Sequence, residues 1–296
     1  MKLLTFLFDA KEQVGVLSKN EDVVYPVRNL GYPFESMNEL IRETNDAMLH
    51  DMANIAIVGK VKGYPLKSVR LLAPIPHPVR DIVCMGLNYM SHAEEVARTL
   101  KEEPAKRTCP IFFGKAVDRA RGDGEAIPSH KGFISTLDYE CELAAIIKKD
   151  ARGVRPEEVK EYMFGYTIIN DITARELNRH KQNYFQKSLD GTCPMGPWIV
   201  TADEIAFSPA LKLQLEVNGE LRQDSCTDQM IFGLKDIVSE LTKGMTLQAG
   251  TIIATGSPTG IGFAMDPPIF LKDGDHIRCR IEKIGELNSY VVDYET

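Results

Sequence analysis

The sequence predicts an α+β protein, with a small α/β unit over residues 1–70 and a larger β-rich domain over residues 71–296. Three observations carry this prediction. Residues 1–70 combine two β-like runs with a helix-like stretch. The segment Leu71-Leu-Ala-Pro-Ile-Pro-His-Pro78 sets three prolines close together and cannot be regular helix. Beyond it, short β-branched or apolar runs recur between Gly, Pro and Asp turns. A chain of 296 residues, 44% hydrophobic and 26% charged, has globular proportions and the length for more than one unit.

Leu3–Phe8 and Val14–Leu17 flank a polar turn, as in a hairpin. Ser36 with Glu39 forms a capping box, and Met37, Leu40, Ile41, Met48, Leu49 and Met52 recur at roughly helical spacing, which predicts one helix through these positions. The proline-rich stretch then reads as an extended linker and marks the boundary between the units. Strands are expected at Ile82–Met85, Leu143–Ile147, Tyr166–Ile169, Trp198–Thr201, Leu211–Val217, Thr251–Thr255 and His276–Ile281. After Thr227-Asp228, an apolar stripe of Met230, Ile231, Leu234, Ile237, Val238 and Leu241, ended by Lys243-Gly244, predicts a core helix with no chemistry of its own.

A formal net charge of −7 and the lack of a basic run argue against a nucleic-acid partner. Six scattered cysteines without a C-x-x-C pair read as reduced thiols. The apolar start is broken by Asp9, Lys11 and Glu12, too soon for a membrane span or a signal segment, so a cytoplasmic location and no membrane partner are expected. Nor is there a G-x-G-x-x-G after a strand, a G-x-x-x-x-G-K-[ST], an H-E-x-x-H or a G-x-S-x-G elbow. Nicotinamide, ATP and serine-hydrolase chemistries lose their support with them.

The segment Leu137-Asp-Tyr-Glu140-Cys-Glu142-Leu-Ala-Ala-Ile-Ile147 reads as one strand running into a buried apolar stretch, so Glu140 and Glu142 point the same way. Read plainly, such a pair is a solvated face shared with Asp138. If buried, the two carboxylates repel and need a cation between them. Asp171 ends a second apolar strand, Gly165–Asn170, before a helix-like segment at Thr173–Asn178. It is either an N-cap or a third carboxylate, which would complete an all-oxygen set suited to Mg²⁺, Mn²⁺ or Ca²⁺.

Five ordered motifs then resemble the fumarylacetoacetate hydrolase superfamily: G-L-N-Y-M-S-H-A-E-E (86–95), D-Y-E-C-E-L (138–143), G-Y-T-I-I-N-D-I-T-A-R-E (165–176), K-S-L-D-G-T-C-P-M-G-P (187–197) and A-T-G-S-P-T-G-I-G (254–262). The resemblance implies a mixed β-sandwich roll, usually a homodimer, acting on a small 2-oxo acid. It implies Glu140, Glu142 and Asp171 as ligands of Mg²⁺ or Mn²⁺, and His92 with Glu95 as a catalytic dyad on a lid. Lys187 is then the lysine beside the metal, and Arg175 an arginine that anchors ligands or supports the ligand Asp. Asn178 replaces a substrate-contacting Gln of many relatives. Gly256-Ser257-Pro258 replaces Gly-Thr-Pro, keeping a hydroxyl for a substrate carboxylate.

A 2-oxo acid can chelate one cation through its carboxylate and ketone oxygens, and the cation then draws charge onto the ketone oxygen as a neighbouring bond breaks. Acylpyruvate hydrolysis and oxaloacetate decarboxylation leave the same pyruvate enolate, so the sequence leads to C–C cleavage through an enolate held by the metal. Isomerase, tautomerase or dehydratase chemistry, or a binding protein with little turnover, are the alternatives. His92, three residues before Glu95 on a helix, can serve as a base for water or as a proton donor to the enolate.

Overall fold

The computed structural model describes residues 1–103 and 108–294. Its fold is α+β. The first stretch supplies β1 (Lys2–Phe8), β2 (Lys11–Leu17), β3 (Val23–Pro26), α1 (Met37–Glu43), α2 (Asp46–Val58), β4 (Tyr64–Pro65) and β5 (Arg70–Leu71). There follow β6 (Ile82–Gly86), α3 (Met90–Leu100), β7 (Ile111–Lys115), β8 (Ala126–Pro128), β9 (Leu137–Asp138), β10 (Cys141–Ile147), β11 (Met163–Asn170), β12 (Thr173–Ala174) and α4 (Asn183–Lys187). The chain finishes with β13 (Met195–Thr201), β14 (Lys212–Val217), β15 (Glu220–Cys226), α5 (Leu234–Thr242), β16 (Ile252–Ala254), β17 (His276–Ile281) and β18 (Gly285–Val292).

An eleven-stranded sheet runs β4-β3-β2-β1-β13-β11-β10-β16-β6-β7, with β5 paired to β1; a five-stranded sheet runs β15-β14-β17-β18-β8. Hydrogen bonds therefore cross the boundary expected near residue 71, because β1 pairs antiparallel with β13. The proline-rich segment is a series of bends rather than an exposed extended linker, with Leu72, Ala73 and Ile75 inside the core and Thr5 donating to the Pro74 carbonyl at 2.7 Å.

Strand β10 explains the uninterrupted apolar run, since both of its faces are covered. Leu143, Ala145 and Ile147 share a core with Leu213, Leu215, Ile277 and Ile281 of the smaller sheet. Ala144 and Ile146 share the opposite core with Leu40, Ile41 and Met52 from α1 and α2. Burying each large aliphatic side chain contributes about 1.5–3 kcal/mol, so the layers hold β10 from both sides. Among the described residues, no helix is long and apolar enough to cross a membrane.

Several elements differ from expectation. The single helix through Met37–Met52 is two helices, because Thr44 closes α1 through its hydroxyl on the Leu40 carbonyl and Asn45 caps α2 by accepting from Met48 N–H. Ser36 does cap α1, but Glu39 reaches back to Glu35 N–H rather than to Ser36. The strand expected over Leu137–Ile147 breaks at Tyr139-Glu140 into β9 and β10. Thr173-Ala174 pair with β9, and Arg175–His180 form a 3₁₀ turn in place of a helix. Helix α5 starts at Leu234, with Asp236 accepting from Gly233 N–H.

Asn88 is the reason α5 starts late. It is fully buried, donates to the Thr255 carbonyl at 2.8 Å and the Phe232 carbonyl at 3.0 Å, and accepts from Phe232 N–H at 3.0 Å. Ile231 N–H also bonds the Asn88 carbonyl at 2.7 Å, so Met230–Phe232 are pinned outside the helix. Asn88→Ala strands these buried partners and is expected to lower unfolding stability by about 2–4 kcal/mol in a urea titration. A loss within about 0.5 kcal/mol, the range of an ordinary surface change, would remove the clasp from this account.

Candidate metal centre and active site

The β10–β11 ladder sets Cys141 opposite Asn170 and Glu142 opposite Ile169, which brings Glu140 to the segment just after β11. There Asp171 N–H donates to the Glu140 carbonyl at 2.8 Å, and Glu140 N–H to Asn170 Oδ1 at 3.0 Å. Carboxylate oxygens of Glu140, Glu142 and Asp171 thus gather within 4.8 Å of one another, all three side chains buried. Asp171 caps no helix: Ala174 occupies that position, with no side-chain cap.

Positive charge reaches this cluster from three segments. Arg175 donates through Nε to Asp138 at 2.8 Å and through Nη2 to Glu140 at 2.7 Å. Lys187 Nζ bridges Glu140 at 2.9 Å and Asp171 at 2.7 Å. Lys115, wholly buried at the end of β7, lies 2.9 Å from Asp171 Oδ1 and donates to the Ile172 and Lys187 carbonyls. Asp138 is not the solvated charge of the plain reading. It is fully buried and accepts from Tyr139, Gly262 and Phe263 N–H besides Arg175.

Among the described residues, four carboxylates thus face three cations, and Glu142 is the one without a cationic partner. Its Oε2 accepts only the neutral Gly256 N–H at 2.7 Å. Burial, then the charges of Asp171 and Glu140, push its pKa well above the ordinary carboxylate range. For Glu140, burial acts upward too, but Lys187 and Arg175 outweigh it and hold the carboxyl at about 2. Burial opposes the charge of Lys187 as well, yet Asp171 and Glu140 raise its pKa and keep it protonated.

This arrangement fits a divalent cation. Asp171 Oδ1 is buried and accepts no aligned hydrogen bond, being held only by the charge of Lys115. Among the described residues Glu142 lacks a counter-charge, and all three donors are carboxylate oxygens, the chemistry preferred by Mg²⁺, Mn²⁺ and Ca²⁺.

The dyad lies on α3. His92 Nδ1 is 3.1 Å from Glu95 Oε2, and Glu95 Oε1 accepts from Gly260 N–H at 2.8 Å. Burial would raise the pKa of Glu95, but its hydrogen bonds from His92, Thr259 and Gly260 lower it, so it stays anionic beside the imidazole. His92, Glu140, Arg175, Asn178, Lys187 and Ser257 all line one cavity of about 280 Å³. Phe113 lies over the Lys187 ammonium at 5.6 Å from ring centre, and Phe263 over the Arg175 guanidinium at 6.0 Å.

The residues expected from the motifs fall into two groups. His92, Lys187, Asn178 and Ser257 face the cavity. Gly256 instead acts through its N–H on Glu142, and Arg175 lines the cavity while spending its donors on Asp138 and Glu140. Lys115, Asp138, Asn88 and Gln223 are missing from the sequence-derived site. The one available signal for Lys115 was a lysine closing the apolar run Ile111-Phe-Phe-Gly.

Residues 81–292 match the model of the fumarylacetoacetate hydrolase C-terminal domain. The chain is 45% identical over 229 residues to the oxaloacetate tautomerase YisK of Bacillus subtilis, covering 77% of this chain and 75% of that protein. The solved fumarylacetoacetate hydrolase of Exiguobacterium antarcticum superposes with a TM-score of 0.85 at 37% identity, over 99% of this chain and all of that one. The maleylpyruvate hydrolase of a Sphingobium species does so at 0.77 and 30%, again over 99% and 100% of the two chains. A model match over most of the chain, together with 45% identity to a relative over three quarters of it, places this protein in the fumarylacetoacetate hydrolase family.

Proposed function

We propose that the protein is a divalent-metal-dependent enzyme that moves a proton between carbon and oxygen of a small 2-oxo acid, interconverting its keto and enol forms. The observation that carries this reading is His92, paired with Glu95, facing the same cavity as Glu140 and Lys187. Similarity to an oxaloacetate tautomerase favours a substrate of oxaloacetate type, and so puts proton transfer ahead of the C–C cleavage that the motifs alone suggested.

Glu140, Glu142 and Asp171 would hold Mg²⁺ or Mn²⁺, with Ca²⁺ also compatible, and the ion would supply Lewis acidity at the ketone. His92 has one ring nitrogen engaged by Glu95, which leaves the other for the substrate. It accepts the proton from the carbon beside the ketone and returns one to oxygen. Glu95 stabilises the imidazolium formed in between. Lys187 lies beside the ligands and offsets negative charge developing on the substrate oxygen. Ser257 and Asn178 line the cavity as neutral polar groups for the substrate carboxylate and substituent. The expected homodimer and cytoplasmic location belong to the same proposal.

A second reading is C–C cleavage, by hydrolysis or decarboxylation. Likeness to two hydrolases favours it, and so does the dyad, which can activate water in place of a carbon acid. Following oxaloacetate by ultraviolet absorbance, with a coupled assay for pyruvate, separates the two: tautomerisation changes the enol band without releasing pyruvate.

Glu140→Gln is expected to weaken Mn²⁺ binding more than about 100-fold in calorimetry and to abolish turnover with it. Full activity in that variant would mean the ligands are assigned wrongly. His92→Ala should leave Mn²⁺ affinity intact while lowering kcat by about 10²–10⁴. An unchanged kcat would take the dyad out of the mechanism.

A further inference from the structure

Gln223, on β15, is fully buried and touches two parts of the site at once. Its Oε1 accepts Cys141 N–H at 2.9 Å, between Glu140 and Glu142 in the chain. Only the amide oxygen can accept from that N–H, so the orientation of the side-chain amide is fixed. Its nitrogen therefore faces the other way, donating to Ser257 Oγ at 2.7 Å and to the Pro258 carbonyl at 2.9 Å. The Thr259 carbonyl, at 3.5 Å, is the remaining acceptor in reach.

The consequence falls on Ser257. A hydroxyl has one proton, and an oxygen that accepts from an amide cannot donate back to it. The nearest alternative acceptor, the Pro258 carbonyl, is 3.5 Å from Oγ and already receives an N–H from Gln223. Ser257 also lines the cavity. The cations on that cavity, Arg175 and Lys187, are already committed to Asp138, Glu140 and Asp171. A substrate carboxylate therefore has use for a neutral donor of fixed direction.

We propose that Gln223 is a positioning residue: it turns the Ser257 hydroxyl so that it donates into the cavity and captures a carboxylate oxygen of the 2-oxo acid. This rests on the function proposed above. Gln223 itself touches no substrate.

The test uses oxalate, a planar dianion, titrated calorimetrically into the Mn²⁺-loaded protein, alongside steady-state kinetics. Gln223→Met keeps the bulk but removes the amide, leaving the hydroxyl free to rotate. It should raise the oxalate dissociation constant and KM about tenfold, with kcat and Mn²⁺ affinity little changed. Ser257→Ala should do the same, and the double variant should be no worse than Ser257→Ala alone, because both changes remove one interaction. Gln223→Asn, which retains an amide but withdraws it from Ser257, offers the same pattern with less disturbance of the core.

Additive losses in the double variant, or a fall in Mn²⁺ affinity equal to the fall in oxalate affinity, would show Gln223 to be a structural support only. Unchanged oxalate binding in Ser257→Ala would also overturn the proposal. Absence of metal-dependent turnover in the unmodified protein would instead sink the proposed function, with the oxalate titrations still judging Gln223.

Discussion

Negative charge packed out of water is the condition to which the rest of this structure answers. Asp138, Glu140, Glu142 and Asp171 are all buried in one region, and like charges so close in a low-dielectric setting are tolerable only with compensation nearby. Arg175, Lys187 and Lys115 supply it from the 3₁₀ turn after β12, the end of α4 and the end of β7. The interruptions in secondary structure follow from this demand. The chain leaves the sheet at Tyr139-Glu140 and again after Asn170, which frees the Glu140 and Asp171 carboxylates from strand geometry and lets Arg175 reach back across β9.

The turn from Gly256 to Gly260 gathers what the charges leave unsettled. Its first N–H holds Glu142, its serine is gripped by Gln223, and its last N–H holds Glu95 and with it the helix carrying His92. Side chains are excluded at both ends. Gly256 has φ +93°, with a Cβ placed 2.8 Å from Asn88 Cβ, and Gly260 has φ +105°, with a Cβ placed 2.0 Å from the Arg222 carbonyl. A proposed metal ligand, the Ser257 hydroxyl and the proposed general base are thus referred to one short piece of backbone.

Much of this was legible from residue order. Alternation and apolar runs located most of the long strands, and E-x-E before the Leu143–Ile147 run marked the acidic pair. What escaped is informative. Helices α1 and α2 share one apolar rhythm, and only the local competition of Thr44 and Asn45 for backbone groups divides them. Met230 and Ile231 have helical spacing with the α5 stripe, yet a distant asparagine holds this stretch outside the helix. Gln223 lies on a strand with no local feature to mark it, and Lys115 has only the apolar run before it. Their roles arise from sheet neighbours far along the chain, and no single-sequence pattern carries that. Asp138 looked like a surface charge because its partners, Arg175 and the N–H groups of Gly262 and Phe263, are likewise remote.

Strand β16 enters the large sheet between β10 and β6, and its pairing with β6 is parallel, Val83 beside Ile253. Joining residues so far apart delays closure of the pocket until the chain has been made past Ile253, since long-range parallel pairings form slowly. Until then the acidic strand ends stand without the glycine turn that completes them. A nascent chain stalled before residue 252 would expose β10 along the edge β16 normally covers, a surface suited to chaperones or to aggregation.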